Sequence, residues 1–378
     1  MNKTVSLCRF FHVLALFCIS FLTGPGVGES RAGWQEEWEK TVKAAKQEGG
    51  LVLYGGEEIT HLQLLEAFNK EYPEIKVTTA SGHGSELGAR IVAERRAGKF
   101  LVDLYAGGPS TPYRVLYLAD ALDPIKAELI LPEVTDPAKW YGGKHTYADP
   151  KDAYLLMFEG TPSGGATLVY NTKLVNAKEI KSYWDLLKPK WNGKILYMNP
   201  TSNSLGLNTT ISLLDTPGVG AEFIKRLFSE MDVGISGNRR QGTDWLAAGK
   251  YALCFACRDV ERAKSQGLPV LDFQPGDLRE SLFEIGGGSS SVLVRLNQGP
   301  NPNAAKVFVN WFLSRNGQAV WQRVMNTVVK EGSNSMRIDV PKDDVMAEAQ
   351  RLADRQYKII GFRDPKPTLT LMRQILKN

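Results

Sequence analysis

The chain has 378 residues, of which 43% are hydrophobic and 23% charged, and its formal net charge is +5. This composition is ordinary for a globular protein, and the length is sufficient for two domains. The sequence contains no run of five or more like charges, whereas a nucleic-acid-binding protein usually gathers Lys and Arg on one face. The composition therefore argues against a nucleic-acid partner.

The N-terminus, residues 1–32, has the layout of a secretory signal peptide. Lys3 and Arg9 precede the apolar run FFHVLALFCISFL, which the helix-breaking TGPGVGES follows. The run is too short and too poorly flanked for a good membrane span. We expect cleavage at or before Ala32 and export of a soluble chain to the periplasm.

The next predicted elements alternate between strand and helix. GGLVLYGG (49–56) predicts a buried strand, and THLQLLEAFNKEY predicts a helix with Thr60 as its N-cap. PEIKVTTA predicts a second strand, Ser85 to Ala97 a second helix, and FLVDLYAGG a third strand. This alternation indicates a parallel α/β sheet whose strands end at one shared crevice.

A second α/β set follows an irregular stretch at residues 110–165. GATLVYNTKLV predicts an isolated strand, and strands and helices continue from YWDLLKPKWNGKILYMNP to LPVLDFQP. FEIGGGSSSVLV predicts two strands around a flexible turn, and NPNAAKVFVNWFLSRNGQAVWQRVM predicts two helices joined at SRNG. Two α/β units with more than one crossing strand predict a hinged, two-lobed molecule that closes on a ligand.

Two cysteines, Cys254 and Cys257, lie beyond the signal segment. In an oxidising compartment such a pair can form a disulfide. However, YALCFAC is typical of a strand, on which residues three apart have Cα atoms about 10 Å apart, too far for a disulfide. The sequence favours buried thiols or a structural bridge over redox chemistry and leaves these two open.

The stretch SGHGSELGAR (81–90) comes close to a dinucleotide-binding fingerprint. Gly82 and Gly84 supply G-x-G, and Asp103 stands where a ribose-binding acid would, but Gly88 comes one residue too late. Nicotinamide cofactors are also not expected outside the cytoplasm. Motifs of the type G-x-x-x-x-G-K-[ST], H-E-x-x-H and G-x-S-x-G do not occur. A secreted hydrolase remains an unsupported alternative, because sequence spacing does not exclude a spatial triad.

Four turns rich in Gly, Ser and Asn each follow a predicted strand. Such turns present free backbone N–H groups and hydroxyls at the positive end of a helix, which suits an anion. Arg239, Arg240 and Arg258 could add charge-assisted bonds to a carboxylate or phosphonate. One such turn is ordinary loop composition, but four together favour a shared polar crevice. The turns are SGHGS (81–85), GGPST (107–111), NPTSNS (199–204) and SGNRRQG (236–242).

Several motifs of the chain occur together in one known group of proteins. They are LVLYGGEE, SELGARIVAERRAGKFLVDLYAGG, LVYNTKLV, YWDLLKPKWNGKI followed by NPTSNS, and AAKVFVNWFLSRNGQAVWQ. With them the chain resembles the extracellular solute-binding proteins of ABC importers, which have the type II periplasmic fold. It resembles their ferric-iron-binding-like branch most.

The resemblance implies an α/β fold with two lobes, a hinge and an interlobe ligand cleft. Lobe 1 would comprise residues 33–169 with about 288–335, and lobe 2 residues 170–287 with about 336–378. It also implies binding without catalysis, no cofactor, and a monomer that delivers its ligand to a permease in the inner membrane.

The resemblance places the ligand contacts in loops that follow strands. In lobe 1 these contacts are Tyr54, Gly55, Gly56, Ser81, His83, Gly84, Ser85 and Ser110. In lobe 2 they are Thr201, Ser202 and Asn203, with Arg239 and Arg258 matching less closely.

The identity of the ligand depends on a departure from the family pattern. Iron carriers of this branch typically use two neighbouring tyrosines of the second lobe, and this chain contains no adjacent Tyr-Tyr pair. A hard trivalent ion needs several anionic oxygen ligands. The sequence therefore favours a small organic anion, a carboxylate or phosphonate. Ferric iron or an iron chelate stays open, with His83, Glu57 and Tyr54 as the candidate ligands.

Overall fold

The computed structural model describes most of the chain beyond the predicted signal peptide. The described ranges are 28–160, 162–163, 166–202, 205–257, 260–274, 276–281, 284–286, 290–329, 333–341 and 358–377. Residues 1–27 of the predicted signal peptide lie outside them. Within these ranges, no helix is both long enough and apolar enough to cross a membrane.

Helices and strands alternate along most of the described chain. The α-helices are α1 (Gly28–Glu48), α2 (Glu57–Thr60), α3 (Leu62–Glu71), α4 (Gly84–Arg96), α5 (Pro132–Thr135), α6 (Leu205–Asp215), α7 (Gly220–Glu230), α8 (Arg239–Ala247), α9 (Val260–Ser265), α10 (Pro302–Leu313), α11 (Arg315–Val324) and α12 (Lys366–Ile375). The strands are β1 (Gly50–Gly55), β2 (Lys76–Ser81), β3 (Leu104–Gly107), β4 (Leu122–Asp123), β5 (Leu156–Met157), β6 (Pro162–Ser163), β7 (Leu168–Asn171), β8 (Ile195–Met198), β9 (Val233–Ser236), β10 (Leu253–Phe255), β11 (Val270–Asp272), β12 (Glu284–Gly286), β13 (Val292–Leu296) and β14 (Lys358–Ile360).

The first large sheet has the strand order β2-β1-β3-β13-β4, with β5 also paired to β13. Strands β1, β2 and β3 run parallel, and β13 runs antiparallel to β3. Apolar residues cover both faces of the sheet: Leu51 and Leu53 pack with Phe308, whereas Tyr105 packs with Ile91 on the other side. Helices on both faces bury the strands, which explains why β1 and β3 read as nearly continuous apolar runs.

The second large sheet has the order β11-β7-β10-β8-β9. Strand β8 runs parallel to both β9 and β10, whereas β7 runs antiparallel to β10. One face packs Ile195 and Tyr197 against Phe223, and the opposite face buries Leu196 with Cys254. Each large sheet therefore has its own hydrophobic core, and the two-lobed α/β fold expected from the sequence is confirmed.

A small third sheet, β14-β12-β6, lies on the connections between the lobes. Strand β6 lies on the path from β5 to β7, and β12 lies on the path from β11 to β13. Strand β14 precedes α12, which contacts α6 and α7 of the second lobe. Three crossing segments thus form the hinge, in agreement with the expectation of more than one.

The predicted lobe limits stay a prediction. For two segments near these limits, the structure shows which lobe they pack against. Strand β7 begins at Leu168 and belongs to the second sheet. Met336 lies in the core of the first lobe, and the buried guanidinium of Arg337 binds the carboxylates of Asp339 and Glu133. Residues 336–341 therefore pack on lobe 1, whereas the predicted limit assigned them to lobe 2.

The expectation that YALCFAC is one extended strand is wrong, and so is the distance drawn from it. Strand β10 ends at Phe255, and Ala256 adopts a left-handed conformation with φ 64°. This residue turns the chain, so that the Cα atoms of Cys254 and Cys257 lie 5.8 Å apart and the two form a disulfide. Of the two open alternatives, the structural bridge is the one present, and it is buried.

Candidate functional site

The loops after β1, β2 and β3 begin side by side at one edge of the first sheet. Gly55, near the end of β1, pairs with Ser81 on one side and Ala106 on the other. Neighbouring strands lie about 4.8 Å apart, so the segments that follow these residues are close neighbours. The structure thereby brings together the predicted site residues of Ser81–Ser85 and Gly55–Gly56, with Ser110 shortly after β3.

Helix α4 begins at this edge with an open N-terminus. His83 occupies the N-cap position with φ −67° and ψ 136°, and its side chain makes no capping hydrogen bond. The N–H groups of Glu86 and Leu87 donate to the His83 carbonyl oxygen, both at 3.0 Å. Among the described residues, the N–H groups of Gly84 and Ser85 have no acceptor. Because an uncapped helix start carries partial positive charge, it can receive an anion.

Two hydroxyl-bearing residues beside this helix start were missed at the sequence level. A Cβ placed on Gly84 would lie 2.9 Å from Tyr105 Oη and 3.0 Å from Thr111 Oγ1. Both hydroxyls therefore adjoin the first residue of α4. Thr111 belongs to the turn GGPST, which offered a signal, but Tyr105 lies in a buried strand and reads as core.

Tyr54 supports this edge from inside the lobe. It is buried in the same core as Leu87 and Ile91, and the guanidinium of Arg90 lies 4.9 Å from the centre of its ring. Burial, together with the charge of Glu94, raises the pKa of the Tyr54 hydroxyl. Its predicted contact with the ligand stays a prediction, as does that of the buried Gly55 next to it.

The corresponding edge of the second sheet carries the turn after β8. Met198 pairs with Ser236 at the end of β9, and the N–H of Asn199 donates to the Ser236 carbonyl oxygen at 2.8 Å. The N–H and the hydroxyl of Thr201 both donate to Asn199 Oδ1, at 2.8 Å each. Asn199 therefore holds Thr201 in place, and the exposed Ser202 follows it just before α6.

Helix α8 begins at this same edge, after β9. Asn238 caps it by accepting a hydrogen bond from the Gln241 N–H at 3.1 Å, and Arg239 is the first residue of the helix. The side chains of Arg239 and Glu57 lie outside the described part of the structure, as do Asn203 and Arg258 entirely. Their predicted roles stay predictions.

Asp103, the candidate for a ribose-binding acid, has a structural role. It is fully buried, and its carboxylate accepts hydrogen bonds from Val52 N at 2.8 Å, Asn301 N at 2.7 Å and Asn301 Nδ2 at 2.8 Å. It precedes β3 and so lies at the opposite end of this strand from the turn 107–111. Its carboxylate is occupied by protein donors, which removes the remaining support for a dinucleotide site.

The described residues do not form a recognisable metal-binding site. Among these residues, no group of three or more His, Cys, Asp and Glu side chains could hold an ion. Two histidines are engaged elsewhere: His61 Nδ1 accepts from Gln63 N at 3.3 Å, and His145 Nε2 lies 2.8 Å from the Val134 carbonyl oxygen.

This arrangement, with two parallel-strand edges and helix starts on either side of a three-segment hinge, agrees with the family comparison. Residues 148–324 match the family of bacterial extracellular solute-binding proteins. The match covers just under half of the chain. The chain as a whole has the two-lobed type II fold, and the family match agrees with the resemblance seen in its motifs.

Several solved structures share the fold of this chain. The IdiA (FutA) protein of Trichodesmium, in complex with iron and citrate ligands, is 18% identical with a TM-score of 0.60, over 86% of this chain and 99% of that one. Iron-bound HitA from Pseudomonas aeruginosa is 19% identical with a TM-score of 0.52, over 86% and 99%.

A third similar structure is that of a protein whose name refers to polyamines, not to iron. The spermidine/putrescine ABC transporter substrate-binding protein PotD of Streptococcus pneumoniae is 13% identical with a TM-score of 0.53, over 87% of this chain and 98% of that one. At these identities the likeness shows the fold, which iron-bound and polyamine-transport proteins share. The ligand of this chain has to be argued from its own residues.

Proposed function

We propose that this chain is a solute-binding protein, which captures a small organic anion, a carboxylate or phosphonate, between its lobes in the periplasm. It would deliver the anion, as a monomer and without catalysis, to the permease of an ABC importer. The observation that carries the proposal is the uncapped start of α4. There the N–H groups of Gly84 and Ser85 are free beside the exposed imidazole of His83.

The second lobe supplies a matching surface for the same anion. Helices α6 and α8 both begin at the carboxyl edge of its sheet, after β8 and β9. Their positive ends would face the anion from the side opposite α4 when the hinge closes. Thr201 and Ser202 add hydroxyls, and Arg239 would add a charge-assisted bond.

Ferric iron, bare or as a chelate, is the second candidate, favoured by the iron-bound proteins that share the fold. Bare iron would need anionic oxygen ligands from the protein. Tyr54 is buried in the core of the first lobe, and the described residues include no group of three or more His, Cys, Asp and Glu side chains that could hold a metal ion. An iron chelate with free carboxylates would instead bind the same N–H groups as an organic anion.

A thermal-shift screen, followed by titration calorimetry, tests the proposal. The arms are citrate and short carboxylates, phosphonates, ferric chloride and ferric citrate. A true ligand at about 100 times its Kd should stabilise the fold by about 2.7 kcal/mol. If no arm shifts the melting temperature and the protein hydrolyses a chromogenic ester, the secreted-hydrolase alternative replaces it.

The same samples separate bare iron from organic anions. Phenolate ligation of ferric iron produces a visible charge-transfer band. A coloured protein after loading with ferric chloride, together with no response to carboxylates or phosphonates, would favour the iron carrier. A colourless protein that responds to carboxylates supports the organic anion.

A further inference from the structure

The short helix Pro112–Tyr117 packs against α4 in the first lobe. It follows the turn GGPST (107–111) and is a π-helix, a rare form that occurs frequently at functional sites. A Cβ on Gly88 would lie 2.6 Å from Thr111 Cγ2, so the absence of a side chain at Gly88 allows this close approach. Gly88 thereby places the helix that carries Arg114 directly beside α4.

Arg114 is half-buried, and within the described ranges its guanidinium makes no hydrogen bond or ion pair. Burial lowers the pKa of the guanidinium, although an arginine stays charged at neutral pH. A partly desolvated charge without a partner costs free energy, so its retention calls for an explanation. Other buried or half-buried arginines donate to carbonyl or carboxylate oxygens of the protein. They are Arg95, Arg295, Arg337 and Arg363.

The guanidinium of Arg114 lies where the first lobe meets the hinge, and a ligand can reach it. Burial raises the pKa of the Tyr113 hydroxyl and the charge of Arg114 acts against this, so the two groups are close. The Tyr113 ring lies 4.8 Å from that of Phe362, on the third crossing segment. The nitrogen atoms of Arg114 stay accessible to solvent, in contrast to the fully enclosed side chain of Arg337.

Two carboxylates near Tyr113 leave the charge of Arg114 unneutralised. Asp149 accepts hydrogen bonds from four backbone N–H groups, and Asp364 accepts one from Lys366 N at 3.0 Å. Neither forms an ion pair with Arg114 in the described part of the chain, and neither contributes to the lowering of the Arg114 pKa. The positive charge is therefore available to a ligand.

We propose that Arg114 is a specificity-determining ligand contact, and that the ligand is an organic dianion with two separate acidic groups. This inference rests on the anion site proposed at α4. One acidic group would bind the free N–H groups of Gly84 and Ser85, and the other would accept two parallel hydrogen bonds from the guanidinium of Arg114.

Thr111 shows that one small molecule can span the two positions. Its Oγ1 lies 3.0 Å from the Cβ position of Gly84, at the start of α4. It precedes Arg114 by three residues, and side chains three apart on a helix have Cβ atoms about 5–6 Å apart. Two positive positions at this spacing suit a dicarboxylate or a carboxylated phosphonate.

Titration calorimetry of the full chain tests the proposal with succinate, glutarate and phosphonoacetate as dianions and butyrate as a monoanion. The wild type should bind its best dianion at least about tenfold more tightly than butyrate, because butyrate leaves Arg114 without a partner. Arg114→Gln should bring the dianion to the affinity of butyrate and leave the affinity for butyrate unchanged. Arg114→Lys should recover part of the difference, since lysine supplies a charge without the fork.

Arg96→Gln is the matched control. Arg96 also makes no hydrogen bond or ion pair within the described ranges, but it is exposed and ends α4. Its substitution removes the same charge from lobe 1 and should preserve the preference for dianions. Urea denaturation separates a ligand contact from a structural role: Arg114→Gln loses no partner in the protein, so its midpoint should stay the same or rise.

Three results overturn the role of Arg114 and leave the interlobe proposal in place. They are wild-type affinity for the dianion in Arg114→Gln, an equal loss in Arg96→Gln, and a lowered urea midpoint that accompanies the loss of affinity in Arg114→Gln. A wild type that binds butyrate as tightly as every dianion overturns the dianion class. Failure of the interlobe proposal itself would appear separately, as the absence of a shift with any anion in the ligand screen.

Discussion

His83 combines the geometry of an N-cap residue with a side chain that does not cap. Its φ and ψ are those of an N-cap, yet the free N–H groups of α4 are left for another partner. A protein gains stability by satisfying such groups, so leaving them open in both neighbours, Gly84 and Ser85, is consistent with a reserved anion site. The stability of the helix can therefore be measured separately from the anion binding that we propose at its N-terminus.

Substitution of His83 by Asp should move stability and binding in opposite directions. An Asp carboxylate caps the free N–H groups, so the free energy of unfolding should rise by about 0.5–1 kcal/mol. The same carboxylate occupies and repels the anion, so affinity should fall by at least about tenfold. Urea denaturation and titration calorimetry with the ligand found in the screen measure the two effects.

His83→Ser is the matched control, because it caps without a charge. It should stabilise the helix similarly and weaken binding less than His83→Asp does. An Asp variant that binds the ligand with wild-type affinity would contradict the placement of the anion at α4.

Individual residues of the site were predictable only where their chemistry shows in the local sequence. Ser81 is the last residue of β2, and His83, Ser110 and Thr201 follow strands in small polar turns, which the structure places at the strand ends. Tyr105 could not be predicted, because an aromatic residue in a buried strand indicates core. Its position beside Gly84 depends on how β3 and α4 pack, which the order of residues does not show.

The disulfide closes the turn after β10 and packs against α8 at the edge of the second sheet. Cys257 Sγ lies 3.3 Å from the position that a Cβ on Gly242 would take, in the first turns of α8. The glycine therefore leaves room for the sulfur, which packs the end of β10 against α8. The bridge stabilises the turn at Ala256 and with it the geometry of this edge.

Removing the bridge should destabilise the protein without unfolding it. The double variant Cys254→Ala/Cys257→Ala should lose about 2 kcal/mol, the loop-closure contribution of so short a loop. Reductant should lower the urea midpoint of the wild type and leave that of the variant unchanged. A wild-type midpoint that is insensitive to reductant, with both thiols shown by alkylation to be free, would contradict a stabilising role.

The segment after α11 is attached to the first lobe by the buried guanidinium of Arg337, which donates to the carbonyl oxygens of Glu133 and Leu313 at 3.0 Å each. Within the segment, the fully buried Arg337 also donates two hydrogen bonds of 2.9 Å to Asp339, which fixes the orientation of the guanidinium. Burial alone would raise the pKa of Asp339, but the hydrogen bonds and charge of Arg337 outweigh it and lower the pKa. A lowered pKa means that the ion pair contributes above the unfolded-state value, near 3.9, and is lost as pH falls through the folded-state value.

Asp339→Asn should therefore destabilise the protein at neutral pH and have no effect in acid. We expect a loss of about 2 kcal/mol at pH 7, as for a hydrogen bond to a buried charged group. The difference from wild type should shrink below about pH 4. Urea denaturation at pH 7, 5 and 3 measures it. Asp120→Asn, on an exposed residue, is the control, and a difference independent of pH would contradict the ion-pair account.

The elements themselves were largely predictable, and the errors share one cause. Helix α4 and strands β1 to β3 follow from local periodicity. Thr60, however, ends α2 by donating to the Gly56 carbonyl oxygen at 2.9 Å, and His61 caps α3 instead. The end of β10 at Phe255, before the left-handed Ala256, was also missed. In both cases the chain changes direction at a single residue. The periodicity of apolar residues extends over several residues and cannot locate such a change.

The hinge shows what local patterns cannot supply at the scale of the whole molecule. Its strands β6, β12 and β14 have two or three residues each and come from distant parts of the chain. Segments so short have no periodicity of their own, and only their mutual pairing defines them. The sequence therefore predicted that crossings exist but gave no signal for β14.

Arg363 anchors the third crossing segment to the second lobe. Its guanidinium binds Glu284 at 2.8 Å and Asp215 at 3.1 Å, and donates to Ser212 Oγ at 3.0 Å. Glu284 lies on β12 and is only 3% exposed. On the preceding residue, the ring of Phe362 lies 4.8 Å from that of Tyr113 in the first lobe. This pair of residues thus contacts both lobes at the hinge.

Arg363→Met should destabilise the protein by about 3–5 kcal/mol, because it leaves the buried Glu284 carboxylate without its cation. Adding Glu284→Gln should recover part of this loss, with a coupling energy of about 0.5–3 kcal/mol in the double-mutant cycle. Arg226→Met is the control: its ion pair with Glu230 at 2.7 Å is exposed on α7 and should contribute less than about 1 kcal/mol. Urea denaturation of the four variants and the wild type gives the cycle. Additive losses would show that the two charges act independently, and the hinge would then depend on the paired strands β6, β12 and β14 rather than on this ion pair.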